Sequence, residues 1–405
     1  MTPDAALTYI LSGVSPIGST EPVPLNAALG RVVTEDICSS ARLPAFDNSA
    51  MDGFCIHADD LGGELPFRLR LQAGLRAGDR PDAMLQPGHA IRIMTGAMVP
   101  VGAAAVVLDE GAEIADGLVT IRRAVAPGKN IRRTGEDVEA GTTIVPAGSR
   151  LTTRHLALLA AAGVQRVQVR RAPRVGVMST GNELLEPGEV AGNGRIVEVN
   201  RFFLLSMLRS AGAVVTDLGI VRDDLDCLAG AFAANRGLDL IVTSGGVAGS
   251  EADLVTAAVS AAGGSTSVCA LALRPGKPIA FGSLGHCRTL HLPGNPMATL
   301  VTAFLFLLPL VRMQAGLDPR NHPVAVRTAG RFHHVPGKTE FVPVRSIGTD
   351  PDGIPLMEML GKGGSGRLLP LVMADGLAEL PAARGSLDAG EFVSFHSFRQ
   401  MGLDG

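Results

Sequence analysis

The chain has no block of like charge, no C-x-x-C pair, no low-complexity linker and no repeat with a period of roughly 20 to 50 residues. Each absence removes a class of protein. Its 36 basic and 39 acidic residues are interleaved, with a formal net charge of -3. It therefore lacks the concentrated positive charge that a duplex-wrapping surface or a polybasic membrane arm requires, and neither nucleic acid nor a membrane is expected as a partner. Five cysteines (Cys38, Cys55, Cys227, Cys269, Cys287) are an odd number without metal-ligand spacing. That excludes a disulfide framework and a zinc site and leaves reduced, buried thiols as the expectation. The longest apolar run, Met297 to Val311, is shorter than the roughly 20 residues that cross a bilayer and reads as a buried helix. The first basic residue is Arg31, and Met1 to Val14 lacks the charged n-region and cleavage site of a secretory signal. A cytoplasmic location is expected.

What is present is 405 residues, 46% of them hydrophobic, enough for two or more domains with separate cores. The pattern is that of a multidomain α/β protein. Residues 1–172 read as a helical and β-rich region of two intertwined subdomains: a helix from Pro3 to Val14, strands at Phe67 to Leu71, Ala90 to Met94 and Ala104 to Leu108, and a helix from Thr152 to Ala162 capped by Thr152 or Thr153. Residues 173–317 alternate strands (Arg174 to Met178, Val214 to Ile220, Leu238 to Val242, Pro278 to Phe281, Thr289 to Leu292) with helices (Asn200 to Ala211, Asp224 to Asn235, Ala252 to Ala262, Pro296 to Gln314). Such alternation implies a parallel sheet covered on both faces. From 318 to 405 alternating strands return (Val324 to Arg327, Glu340 to Val344, Glu391 to Phe395) and imply a small β-barrel or sandwich, of which the barrel is the expectation.

Ligands of open parallel sheets bind beyond the carboxyl ends of the strands, so the loops there carry the chemistry. Three are distinctive: Ser179-Thr180-Gly181-Asn182-Glu183, Ser244-Gly245-Gly246 with Glu251 and Asp253 beyond it, and Pro293-Gly294-Asn295-Pro296, in which Pro296 suits the first helical position. Ser-Gly-Gly after a strand is either an ordinary turn or a place where backbone N–H groups approach a phosphate without an intervening Cβ. Glu183, Asp224 and Asp253 each follow a strand and could converge as hard oxygen ligands for Mg²⁺. Taken singly, Asp224 and Asp253 read as helix-cap or first-turn acids ahead of ligands.

Of the 36 Lys and Arg residues only four are lysines, and Lys129, Lys277, Lys338 and Lys362 all follow glycine. A chain that otherwise uses Arg keeps Lys where a compact point charge suits the site, which marks Lys277 as an anion ligand and leaves the other three as solvated loop residues. In the first half, Phe46 to Gly53 gathers two acids, an amide and a hydroxyl, more than a turn needs. Arg92 to Ala97 and Arg132 to Asp137 are either further functional loops or salt-bridged surface turns. A G-x-G-x-x-G match at Gly361, Gly363 and Gly366 opens no helix, and Gly337-Lys338-Thr339 has Phe332 where a P-loop needs glycine, so neither is read as a nucleotide site.

Together these segments resemble the molybdopterin molybdenumtransferase family in order and over nearly the whole chain. The matches are F-D-N-S-A-M-D-G at 46–53, R-I-M-T-G-A at 92–97, R-x-x-G-E-D at 132–137, S-T-G-N-E-L at 179–184, S-G-G-V at 244–247 with E-A-D at 251–253, R-P-G-K-P at 274–278 and L-P-G-N-P at 292–296. The resemblance implies an enzyme that inserts molybdate into adenylylated molybdopterin with Mg²⁺-dependent release of AMP. It places Asp52, Thr95, Asp137, Glu183, Asp224 and Asp253 around the reaction, the last three as metal ligands. It assigns pterin and phosphate contacts to Asn48, Ser49, Ser179, Thr180, Gly181, Ser244, Gly245, Gly246, Arg274, Pro275, Lys277, Pro293, Gly294 and Asn295. It further implies a homodimer with a site shared between subunits, and a molybdopterin adenylyltransferase and apo-molybdoenzymes or their chaperones as partners. Two alternatives are a related adenylyltransferase, which would resemble the α/β region alone, and a cofactor carrier without metal insertion, which would need none of Asp52, Asp137 or Glu183.

Overall fold

The computed structural model describes residues 1–190, 192, 194–246, 254–361 and 366–399. Glu251 and Asp253, with the rest of 247–253, lie outside them. The described chain forms two units: one comprises Pro22–Leu29 and Val33–Gln168, the other Met1–Glu21, Gly30–Val32 and Val169–Gly405. The chain opens with α1 (Pro3–Leu11), which the Thr2 hydroxyl caps at the Ala5 N–H.

The unit of Pro22–Leu29 and Val33–Gln168 is built on a six-stranded sheet of β1 (Gly53–His57), β2 (Phe67–Leu75), β3 (His89–Ile93), β4 (Ala103–Leu108), β5 (Ala112–Ala115) and β6 (Leu118–Ile121), in the order β4-β1-β3-β2-β6-β5. Alternation along β1 divides its residues between two cores, with Phe54 and Ile56 in one and Cys55 in the other. The helix α2 (Thr153–Ala161) starts at a reciprocal cap in which Thr152 Oγ1 accepts the His155 N–H and His155 Nδ1 accepts the Thr152 N–H.

In the other unit, β7 (Arg174–Thr180), α3 (Asn200–Ser210), β8 (Val214–Val221), α4 (Leu225–Ala234), β9 (Leu240–Ser244), α5 (Leu254–Ala261), β10 (Ser265–Ala270), β11 (Pro278–Leu284) and β12 (Cys287–Leu292) form the α/β layer. Strand order is β8-β7-β9-β12-β11-β10. The first four strands are parallel, as expected. The strand at Pro278 runs antiparallel, and β10, which the sequence reading missed, pairs antiparallel outside it. The cause is local: β11 and β12 are joined by only Gly285 and His286, Gly285 having φ 64, and a two-residue link can only make a hairpin.

The helix Pro296–Ala315 follows β12, with Pro296 in its first turn and a π-helical segment at Ala303–Leu307. It is long and apolar enough to cross a membrane, but 78% of its most apolar window is buried within the protein. Ile10 of α1, Leu204 of α3, Val177 of β7, and Phe304 and Val311 of that helix pack one face of the sheet, while Phe232 of α4 and Val259 of α5 pack the other. Beyond it, β13 (Val324–Thr328), β14 (Thr339–Thr349), β15 (Pro355–Met359), β16 (Gly376–Leu380) and β17 (Phe392–Ser397) close a five-stranded barrel in the order β14-β15-β13-β17-β16-β14. A short strand, Leu273–Arg274, pairs in parallel with Thr339 and Glu340 and so stitches the α/β layer to the barrel.

All five cysteines are free, as expected, but only Cys55, Cys269 and Cys287 are buried. Cys227 is exposed on the first turn of α4, and Cys38 is exposed beside the Thr143 hydroxyl at 3.6 Å.

Candidate active site

In the first unit three sequence motifs meet through the backbone. Asn48 and Ser49 form a short strand paired with Ile131 and Arg132, and Ser49 exchanges backbone hydrogen bonds with Gly96 and Ala97. Asp52 Oδ1 accepts the Thr95 backbone N–H at 2.7 Å and the Thr95 hydroxyl at 2.6 Å. These two bonds, the hydroxyl's first, hold the Asp52 carboxyl below its ordinary value. For Asp47, burial pushes the other way but is outweighed by the Thr134 N–H and the Arg133 guanidinium, so its carboxyl is also lowered. Asp137 is exposed in the same loop, whose backbone bonds to Leu43. Asn48 and Ser49 are buried and turn inward: Asn48 Nδ2 donates to the Phe46 carbonyl and the Ser49 hydroxyl to that of Met51. Their side chains hold the turn that presents Asp52.

In the second unit the ligand loops leave adjacent parallel strands at their carboxyl ends, the expected place for a site. Gly245 has φ +99 and Gly246 φ +69; a Cβ on Gly245 would lie 2.4 Å from the Thr180 carbonyl oxygen, and one on Gly246 2.5 Å from Val255 Cγ2. Only glycine lets these turns pack so closely. Ser179 and Ser244 are buried, and their hydroxyls face the protein: Ser179 donates to Glu198 at 2.9 Å and Ser244 to the Pro293 carbonyl at 3.3 Å. Glu183 is exposed at the end of its loop.

The two acids after β8 divide their roles. Asp224, expected as a metal ligand, is the N-cap of α4, its carboxylate accepting the Cys227 N–H at 2.9 Å. The residue that reaches the neighbouring strand end is Asp223, missed in the sequence: its carboxylate accepts the Thr180 hydroxyl, and its N–H donates to Asn182 Oδ1 at 3.3 Å. Asp253 lies outside the described residues. Among those described, no three His, Cys, Asp or Glu side chains form a metal cage. Glu183 and Asp223 are nonetheless hard oxygen donors on loops that leave neighbouring strands, the type of ligand Mg²⁺ takes while water and substrate phosphate complete its shell.

Lys277 has company that the sequence reading did not give it. Lys338, expected to be solvated, stands within hydrogen-bonding reach of Lys277, and that contact, followed by burial and the charges of Lys277 and Arg274, lowers the Lys338 pKa. Pairing of Leu273–Arg274 with Thr339 and Glu340 brings these distant segments together. Arg274 and Lys277 line a groove of about 1340 Å³ whose wall also includes Pro293, Asn295, Arg331 and Arg367. Glu340, also in the wall, is 3.0 Å from His334 Nδ1 and 3.7 Å from the Arg274 guanidinium. Ammonium groups so close repel each other, and an anion between them relieves the repulsion.

Comparison with known proteins shows the family. Three family models match in order: the MoeA N-terminal region (domain I and II) at residues 1–163, a probable molybdopterin binding domain at 176–313, and the MoeA C-terminal region (domain IV) at 325–398. A molybdopterin molybdenumtransferase of Haemophilus influenzae is 35% identical over 99% of both chains. Molybdopterin molybdenumtransferase 2 of Mycobacterium tuberculosis is 38% identical over 89% of this chain and 90% of its own. Among solved structures, a molybdopterin biosynthesis MoeA protein from Pyrococcus horikosii superposes with a TM-score of 0.80 at 32% identity, covering 98% of this chain and 99% of that one. With relatives of this similarity matched from end to end, and with both the α/β layer and the N-terminal motifs in place, the chain belongs to the molybdopterin molybdenumtransferase family.

Proposed function

We propose that the enzyme inserts molybdate into adenylylated molybdopterin with Mg²⁺-dependent release of AMP. The observation that carries this is the placing of Lys277 and Arg274, with Lys338 beside Lys277, at a groove whose wall includes Pro293 and Asn295. Two oxyanions, a phosphate and molybdate, need such a concentration of fixed positive charge, and the glycine turns admit a phosphate to the backbone. Glu183 and Asp223, with Asp253 of the E-A-D motif, are the residues that would hold Mg²⁺; the ion would offset charge on the phosphoanhydride as AMP leaves. Lys277 and Lys338 orient the oxyanions and are already in place when negative charge develops. Asp52 remains an ionised acceptor because Thr95 donates to it twice.

The exposed cluster of Asp52, Thr95 and Asp137 needs a partner surface to act on a pterin. The reading therefore includes a homodimer in which this cluster of one subunit completes the α/β site of the other. It also includes a cytoplasmic setting in which a molybdopterin adenylyltransferase supplies the substrate and apo-molybdoenzymes or their chaperones take the product.

The test is a reconstitution of purified protein with adenylylated molybdopterin, Mg²⁺ and molybdate, following AMP release and activation of an apo-molybdoenzyme. AMP release should depend on molybdate, and Glu183→Ala should raise the Mg²⁺ requirement on the order of tenfold. Mixing Glu183→Ala with Asp52→Ala subunits should recover part of the activity if the site is shared. Tight pterin binding with no molybdate-dependent AMP release would leave a carrier instead.

A further inference from the structure

Asn200 is the first residue of α3 and is buried, 7% exposed. Its side-chain nitrogen lies 2.8 Å from Ser244 Oγ and 2.7 Å from the Gly294 carbonyl oxygen. A carbonyl only accepts, so the amide nitrogen must face it, and its two hydrogens serve two different turns. Two residues earlier Glu198, 3% exposed, accepts the Ser179 hydroxyl and the Arg201 N–H, each at 2.9 Å. The start of α3 therefore holds the ends of β7, β9 and β12 at once.

We propose that Asn200 is a positioning residue that sets the spacing between the Ser-Gly-Gly turn and the Pro-Gly-Asn turn, and with it the affinity for the pterin substrate; the inference rests on the molybdopterin reading above. The two turns meet backbone to backbone, since a Cβ on Gly294 would lie 3.4 Å from Gly245 Cα. Strand pairing ends at Ser244 and Leu292 with one further bond, from the Gly245 N–H to the Leu292 carbonyl at 3.1 Å; beyond it no side chains stand between the glycines, and the directional tie from Asn200 sets how the turns continue. Ser244 is the second half of that tie: its hydroxyl accepts from Asn200 and donates to Pro293, so it has no hydrogen left to offer a ligand. The anchor itself is firm, because the buried Arg201 side chain binds Asp217 and Glu186, both at 2.5 Å.

The experiment compares Asn200→Ala and Asn200→Asp with wild type by molybdopterin titration, steady-state AMP release and thermal melting. The Asp variant keeps the shape but turns an acceptor toward the Gly294 carbonyl. Both should weaken molybdopterin binding and raise KM by about tenfold or more, with kcat within about threefold, as expected when ground-state and transition-state binding are lost together. Ser244→Ala added to Asn200→Ala should cost little further, because the two act through one bond. A folded Asn200→Ala protein with wild-type affinity overturns the inference, and so does a fall in kcat and melting point at unchanged KM. Should wild type not bind molybdopterin, the functional reading fails. Amide exchange then decides the positioning role alone: residues 244–246, 294 and 295 must exchange faster in Asn200→Ala, and unchanged exchange rejects it.

Discussion

Replacing Lys277 by alanine is expected to lower kcat/KM for AMP release by about 100- to 1000-fold while leaving the melting temperature within a few degrees of wild type. The expectation follows from where the ammonium stands. It is exposed at the groove and supports no core residue, so its loss removes charge and little packing. A preorganised donor facing developing negative charge contributes roughly 3 to 4 kcal/mol to a barrier, which sets the size of the effect. Lys338→Ala should have a smaller effect, because Lys277 and Arg274 remain. In Lys277→Ala the Lys338 pKa should rise toward its ordinary value, since contact with Lys277 is the largest cause of its lowering. Lys277→Arg should recover only part of the rate, because a planar guanidinium does not reproduce a compact ammonium. Steady-state assays on the three variants decide the matter, and a Lys277→Ala enzyme within threefold of wild type would remove Lys277 from the mechanism.

Acid should destabilise this fold well before the carboxylates titrate. His291 of β12 is fully buried, edge-on to Phe232, with one ring nitrogen 3.0 Å from the Thr243 hydroxyl and the other 3.1 Å from that of Thr289. Burial lowers its pKa from 6.5 to about 3. The unfolded chain therefore takes up a proton that the folded one refuses, and stability falls as pH drops from about 6.5 to about 3, by about 1.4 kcal/mol per pH unit once the slope is established. At the lower end the loss reaches about 4 kcal/mol, a large share of a typical folding free energy. Urea unfolding between pH 7 and pH 4 measures it. The decline should be shallower in His291→Gln, and an equal slope in both proteins would show that another group controls it.

Elements bounded by strong local signals are legible in the sequence, and directions set by distant pairing are not. Thr152 as a cap and Pro296 in a first helical turn are local preferences that the structure bears out. The strand Ser265–Ala270 has a largely polar pattern because it lies at an edge and much of it is exposed, so hydrophobic alternation did not mark it. The choice between Asp223 and Asp224 turns on where α4 starts, a shift of one residue that no pattern of apolar spacing resolves. Lys338 joined the site only through the ladder between Leu273–Arg274 and β14. Asn200 carried no distinct signal in a helix that also holds Arg201, Ser206, Arg209 and Ser210, and its two partners lie 44 and 94 residues away.

That ladder means the C-terminal barrel is no detachable appendage. Arg274 is held on one side by a strand of the barrel and runs on the other directly into Lys277. A chain ending near residue 317 would lose Lys338 and the far wall of the groove, and would leave Leu273–Arg274 as an unpaired edge open to aggregation. Exchanging barrels between relatives would thus alter oxyanion handling even if every residue of the α/β layer were kept. Two residues of backbone pairing make the groove a joint product of the α/β layer and the barrel.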